Sequence, residues 1–399
     1  MAEQSHRPQA RRLFLRFAAA AAAIALSGCQ IVPIEGEARR QPPPAPPTKR
    51  VQTPEPAVPT PPAETRNKVA VLVPLTGPNG GVGTSLANAA NLALMDAGAG
   101  RIRITVYDTA KGAPLAAQQA LAAGNGLILG PLLAEDVRVV APLARRANVP
   151  VISFSNDVSV AGDGVYIMGF TPGQSIERVV SYARSQGLQR FAGLIPQGDY
   201  GRRSSQALTS AVAQASGRLV GMQSFDRTPA SLRSAVIRLN AQSPYDAVLI
   251  ADNGQIAMSA AATIRSGPSN RARILGTELW KSETSLSASV PIRGAWFASA
   301  PDAMFNQLQV RYRGRYGKTP YRLSSLGYDA VLLAVRVASS WPLGQPFPVG
   351  ELGNPEGFTG IDGAFRFGSD GVVDRKLEVV QVDAGGFTTV SPAARDFGP

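Results

Sequence analysis

Val69-Ala70-Val71-Leu72-Val73-Pro74-Leu75-Thr76-Gly77-Pro78 opens the folded part of the chain and decides its class. Five apolar residues in a row, three of them β-branched, make a strand that is apolar on both faces. Such a strand belongs inside a parallel sheet covered by helices on both sides. Pro74 ends it, and the turn Thr76-Gly77-Pro78-Asn79-Gly80-Gly81-Val82-Gly83 leads into a helical pattern from Ser85 to Ala97, with Gly98 as its C-terminal cap. Strand, turn and helix in this order form the first half of a βαβ unit.

The alternation continues downstream. Predicted strands Ile102–Tyr107, Leu127–Leu129 and Val149–Ser153 alternate with predicted helices Leu115–Ala123 and Ala134–Ala147. A second series has strands near 190–195, 219–225, 245–250 and 273–276, and helices near 173–186, 201–216, 230–241 and 254–266. Two series of about 100 residues each imply an α/β protein of two doubly wound parallel-sheet lobes. Ala303–Tyr316 and Ser324–Ser340 read as two further helices, and Phe365-Arg366-Phe367 with Leu377–Val382, around Ser369-Asp370-Gly371, as a hairpin.

Upstream, residues 1–28 carry an export address. Arg7, Arg11, Arg12 and Arg16 precede the ten-residue apolar run Phe17–Leu26, half of what a membrane-spanning helix needs. Leu26-Ser27-Gly28-Cys29 resembles the bacterial lipobox, in which the cysteine thiol receives lipid; more than one acyl chain gives stable anchoring. Arg11-Arg12-Leu13-Phe14-Leu15-Arg16 fits a twin-arginine signal and an ordinary basic leader equally. Residues 29–67 then form a tether, with ten prolines among the 21 positions from Pro42 to Pro62. Extended at ~3.1 Å per residue, Gln30 to Lys68 reaches roughly 120 Å.

Composition removes whole classes of chemistry. The 399 residues include one His, His6 in the leader, and one Cys, Cys29. A mature chain starting at Cys29 has no histidine for a Ser-His-Asp or Cys-His catalyst, a His-ligated metal or a proton shuttle. No disulfide closes within the chain, and none of the six lysines follows a Ser by three residues. No catalytic residue, metal or cofactor is expected, carboxylate-only hydrolysis being the one enzymatic chemistry left open. The formal charge is +12, and +9 once the leader is removed. Its densest basic-aromatic block, Arg311-Tyr312-Arg313-Gly314-Arg315-Tyr316-Gly317-Lys318, reads as a solvated helix end or as a face for polyanions of the envelope. Outside the cytoplasm no nucleic-acid partner is expected.

Over about 69–385 the chain resembles the type I periplasmic binding proteins of the branched-chain amino-acid receptor group. The matching segments are Val71–Pro78, Tyr107-Asp108-Thr109, Ile128-Leu129-Gly130-Pro131, Val149–Ser153, Gly198-Asp199-Tyr200-Gly201, and Tyr312 with Tyr316-Gly317 before Pro320. Leu129-Gly130-Pro131-Leu132-Leu133 and the anchor look most like penicillin-binding-protein activators, outer-membrane lipoproteins that stimulate peptidoglycan synthases. The resemblance implies two lobes hinged by three crossovers, residues 68–170 with 300–350 and residues 171–299 with 351–399. It also implies a class A penicillin-binding protein as partner, membrane attachment through Cys29 and an envelope location, the outer membrane favoured by Gln30 after the cysteine. The other reading is a solute-binding lipoprotein that serves an ABC permease with an amino acid or amide.

In either case the cleft is expected at the carboxyl ends of the strands. Thr76 and Asn79 on the first turn, Ser155 and Asn156 after the fourth strand, and Asp199, Tyr200, Asp252 and Glu278 in the second lobe are its candidate residues. Tyr200 is expected to make contact between the lobes. Receptors of this resemblance grip the ligand carboxylate with hydroxyls in the third turn and after the fourth strand. Here the third turn is Pro131-Leu132-Leu133-Ala134, without a hydroxyl.

Overall fold

The computed structural model describes residues 65–98 and 100–398. The leader, Cys29 and the tether up to residue 64 lie outside the described residues.

The first series gives β1 (Asn67–Val73), α1 (Gly80–Asp96), β2 (Ile102–Asp108), α2 (Ala113–Ala122), β3 (Leu127–Leu129), α3 (Ala134–Arg146), β4 (Val151–Ser153) and β5 (Val165–Ile167). Its strands form a five-stranded sheet of order β2-β1-β3-β4-β5, parallel throughout. Both faces of this sheet are covered, as the apolar run at 69–73 requires. Val69, Val71 and Val73 point into one core, and Ala70 and Leu72 into the other beneath α2 and α3.

The second series repeats the plan with α4 (Pro172–Ser185), β6 (Arg190–Pro196), α5 (Asp199–Gln214), β7 (Arg218–Phe225), α6 (Pro229–Asn240), β8 (Ala247–Ile250), α7 (Gly254–Arg265), β9 (Arg273–Gly276) and β10 (Trp296–Ser299). Its parallel strands run β7-β6-β8-β9-β10, the same doubly wound order as in the first lobe. Val248 and Ile250 of β8 face α6 and α7, while Ala247 and Leu249 face α4 and α5.

One glycine position recurs in both lobes for the same reason. A Cβ on Gly83 of α1 would stand 1.7 Å from the Pro74 carbonyl oxygen, and one on Gly201 of α5 would stand 1.6 Å from that of Pro196. The helix that follows the first strand of each lobe therefore touches the backbone end of that strand, where only glycine fits.

The chain then returns. α8 (Ala303–Tyr316) and α9 (Ser324–Val337) pack on the first lobe, where Phe305, Leu308, Leu326 and Val331 join the core of α1. β11 (Phe358–Gly360), β12 (Gly363–Phe367) and β13 (Val373–Arg375) form a separate antiparallel sheet. β14 (Glu378–Asp383) pairs antiparallel with β10, and β15 (Gly386–Ser391) antiparallel with β14, extending the second sheet.

Two expectations change here. Phe365-Arg366-Phe367 does not pair with Leu377–Val382: the turn at Ser369-Asp370-Gly371 joins β12 to the three-residue β13, and the 377–382 segment pairs with β10. Residues 351–375 also do not join the second lobe. Leu352, Phe358, Phe365, Phe367 and Val373 are buried in the first lobe's core, and the Gly371 carbonyl accepts the Ile167 amide at the free edge of β5. Aromatic burial, which the hairpin reading ignored, decides the matter. The chain passes between lobes at residues 168–171, at 300–302 and at Lys376-Leu377, the last about 25 residues later than expected.

Candidate functional site

The carboxyl ends of the two sheets face a cleft of about 510 Å³. The first lobe lines it with Asn79 and Val82 at the start of α1, Leu132 and Leu133 after β3, and Phe154 and Asn156 after β4. Phe170 enters from the first crossing, and Tyr321, Arg322 and Leu323 from the segment between α8 and α9. The second lobe supplies Glu278, Leu279, Lys281 and Ser282 after β9, then Ser299 and Ala300 at the end of β10. This is the crevice that two doubly wound sheets leave at their strand ends.

The sequence candidates divide. Asn79, Asn156 and Glu278 line the cleft. Thr76 is exposed on its turn and is not part of the lining. Ser155 is buried, and its hydroxyl accepts the Asp157 amide at 3.1 Å, so it works as a turn cap. Asp199 is exposed and pairs with Arg202 one helical turn on, at 2.7 Å. Asp252 is buried, with one carboxylate oxygen 2.8 Å from Arg227 Nε and the other accepting the Asn253 amide.

Tyr200 does not bridge the lobes. Its hydroxyl stays in the second lobe, 3.1 Å from Thr277 Oγ1 and 3.3 Å from Glu278 Oε1. Burial and the adjacent Glu278 carboxylate push its pKa well above the ordinary phenol value. Three residues along α5, Arg203 makes the contact instead, its Nη1 3.4 Å from Asp157 of the first lobe. The aromatic residues at the cleft itself are Phe154, Phe170 and the half-exposed Tyr321.

Every charge that lines the cleft already has partners within the protein. Glu278 accepts hydrogen bonds from the Ser175 and Tyr200 hydroxyls, and burial raises its pKa in spite of them. Lys281 Nζ lies 2.8 Å from Asp302 and 3.4 Å from Glu378. Arg322 Nη1 is 2.6 Å from the buried Asp362 carboxylate, off the line of a hydrogen bond, and its guanidinium lies over the Phe305 ring.

Beneath Arg322 the charges continue into the protein. Asp329 of α9 accepts the amides of Ile361 and Asp362, while the buried Arg375 donates to the Met168 carbonyl at the first crossing. Burial, then the neighbouring Asp362 carboxylate, push the Asp329 pKa up to about 7. Burial likewise lowers that of Arg375 against the pull of the two aspartates.

Two other segments quoted from the sequence have structural duties. Asp108 accepts the Leu75 and Ala110 amides and pins the turn after β1. In the basic block, Tyr312 and Tyr316 face α1 through Asn88, and Arg311 pairs with Asp96 at 2.9 Å. Among the described residues no cluster of potential metal ligands occurs, and no helix is long and apolar enough to cross a membrane.

Two equally ordered parallel sheets, three crossings and a cleft at the strand ends define a two-lobed binding protein. The chain belongs to the periplasmic binding protein family, which residues 67–387 match, and it has the type I fold of that family. Among solved structures it is similar to a putative branched-chain amino acid ABC transporter protein from Rhodospirillum rubrum, with a TM-score of 0.71 and 18% identity, over 82% of this chain and 100% of that one. It is also similar to the C-domain of LpoA (YraM) from Haemophilus influenzae, a regulator of PBP1A, with a TM-score of 0.65 and 19% identity, over 81% of this chain and all of that one. An uncharacterized protein of Rickettsia prowazekii (strain Madrid E) is 26% identical over 171 residues, 42% of this chain and 46% of the relative, so the match spans about half of that protein. The family and these solved structures are binding and regulatory proteins, and the family points to a periplasmic or envelope location.

Proposed function

We propose that this is a non-enzymatic, lipid-anchored envelope protein that docks on a class A penicillin-binding protein and activates it as a peptidoglycan synthase. The observation that carries the reading is what the cleft withholds from an amino acid. The turn after β3 offers Leu132 and Leu133 where a ligand carboxylate needs hydroxyls. Asp199 and Asp252 are held by Arg202 and Arg227, away from the lining, and Glu278 already accepts two hydroxyl donors. A zwitterion would be desolvated there without matched partners at either end. The similarity of fold to the LpoA domain, named a regulator of PBP1A, supports this reading. Lipid on Cys29 and the proline-rich tether would hold such a module at the outer membrane and let it reach a synthase.

The second reading, a solute-binding lipoprotein of an ABC importer, is favoured by the cleft's very existence and by the transporter proteins among the similar structures. Crosslinking in intact envelopes distinguishes the two. Capture of a class A synthase is expected, and capture of an ABC permease in its place contradicts the activator reading.

A further inference from the structure

The outer face of α8 carries charge that the cleft does not use. Residues 303–318 hold four cations, Arg311, Arg313, Arg315 and Lys318, and no acid. Phe305, Leu308 and Tyr312 turn one side of the helix into the first lobe's core. At about 100° per residue, the other side sets Gln307, Val310 and Gly314 down its middle, with Arg313 on one flank and Arg311 and Arg315 on the other. Lys318 follows just past the helix end. Val310 is 73 % exposed, more than any other large apolar residue among those described.

Structural duties do not use these cations up. Arg311 is held by Asp96, and Arg313 donates to Thr319 Oγ1 at 3.1 Å. Arg315 and Lys318 have no hydrogen bond or ion pair among the described residues. The helix end does not need them as caps, because the amide of Gly317, in the left-handed region, already donates to the Arg313 carbonyl. The helix dipole favours cations in the last turn, but it gives no reason for Val310 to stand exposed beside them.

What covers such a face must be anionic, must accept a convex helix without a pocket, and must take one projecting apolar side chain. A bilayer with anionic phospholipid headgroups meets all three demands, since its phosphates pair with guanidinium and ammonium groups and its boundary layer receives valine. An acidic protein would pair with the cations too, but a protein interface is built round a packed apolar centre, and here Gln307 and Gly314 flank Val310. The family's periplasmic or envelope location brings phospholipid within reach.

We propose that α8 docks the first lobe on a bilayer of anionic phospholipid, with Arg313, Arg315 and Lys318 on phosphates and Val310 in the headgroup layer. The contact is separate from the cleft and from any synthase. It is shallow and electrostatic, so it orients the lobes on the membrane and releases as salt rises.

The test mixes the purified leaderless protein with vesicles of phosphatidylcholine, alone or with about one-third phosphatidylglycerol, and sediments them in about 0.1 M salt. Binding is expected to the anionic vesicles only, and is expected to fall as salt is raised. Each cation at such a surface is worth about fivefold in partitioning, so the double variant Arg315→Gln with Lys318→Gln is expected to bind about ten- to thirtyfold more weakly. Arg271→Gln with Arg293→Gln, which removes two exposed cations of the second lobe and the same net charge, is expected to bind as wild type does. The inference is overturned if the protein does not sediment with anionic vesicles, if the two double variants weaken binding equally, or if the α8 variant binds undiminished. Capture of an acidic protein through α8 without vesicle binding overturns it as well. None of these readouts involves a synthase, so their failure and the failure of the activator reading are separate events.

Discussion

Asp157 of the first lobe and Arg203 of the second meet between the lobes at 3.4 Å. Asp157 is 6 % exposed and is also held by Arg138 at 3.0 Å and by the amide and hydroxyl of Ser159. Burial alone would raise its pKa, but the Ser159 hydrogen bonds and then the two guanidinium groups outweigh it and leave the carboxyl below its ordinary value. The lobes are thus tied by an ion pair whose first-lobe half is rigidly built.

Arg203→Ala is expected to loosen the two lobes while leaving each folded, because Arg138 still neutralises Asp157. Small-angle scattering should report a larger radius of gyration, with the circular dichroism spectrum unchanged. A lowered folded-state pKa means that the contribution of Asp157 is complete above the unfolded carboxylate value of ~3.9 and is lost as pH falls through the lower folded value. Wild type should therefore approach the variant's dimensions only below about pH 4. Identical scattering of the two proteins at neutral pH would show that the pair does not hold the lobes.

Asp329 predicts the opposite slope. Its folded pKa is raised to about 7, by burial first and Asp362 second, so folding favours the protonated form. Stability from this group is greatest below ~3.9 and declines as pH rises through about 7. Glu278, also raised by burial, adds a decline of the same sign. Asp329→Asn, which keeps an oxygen for the Ile361 amide, is expected to fold and to shrink the drop in melting temperature between pH 5 and pH 8. An unchanged drop would contradict the assignment.

The glycines of the two lobes predict a contrast. Gly83→Ala and Gly201→Ala place a Cβ within 2 Å of a carbonyl oxygen and should each destabilise by at least about 1–3 kcal/mol. Gly314→Ala on α8 meets nothing within 4 Å and should stabilise by roughly 0.4–1 kcal/mol. Urea midpoints measure all three, and a neutral Gly83→Ala would show that the close approach of helix to strand relaxes freely.

Reach is testable apart from the folded lobes. Deleting Pro42 to Pro62 would take away roughly 65 Å of the reach that the sequence expectation gives the tether. The deletion is expected to leave the melting temperature unchanged, yet, under the proposed function, to abolish activity in the cell. Full activity in a cell-wall synthesis assay at normal protein levels would remove reach from the account.

How much of this can be read from sequence follows from how each residue acquires its neighbours. The parallel series is legible because a strand buried on both faces must be an apolar run, as at Val69–Val73, and because its turn and helix follow at once. β5 and β10 are not: Val165-Tyr166-Ile167 is three residues long, and Trp296–Ser299 follows an irregular stretch of short turns without periodicity. The strand-end rule finds Asn79, Asn156 and Glu278 because each lies on the segment that leaves the carboxyl end of a parallel strand. Tyr321 and Arg322 reach the same cleft from a connection between two helices, which no strand-to-helix pattern marks. Asp252 illustrates the converse, since its place after β8 is right but Arg227, 25 residues earlier in sequence, holds it.

The central claim is that the lobes act on a synthase and do not deliver an amino acid. Its most direct test adds the purified leaderless protein to a class A penicillin-binding protein from the same cell and follows glycan polymerisation, with leucine and valine titrated in parallel by calorimetry. The account predicts a faster synthase and leucine binding weaker by about tenfold to a hundredfold than a matched carboxylate grip would give. An unchanged polymerisation rate together with a sub-micromolar dissociation constant for either amino acid would contradict it.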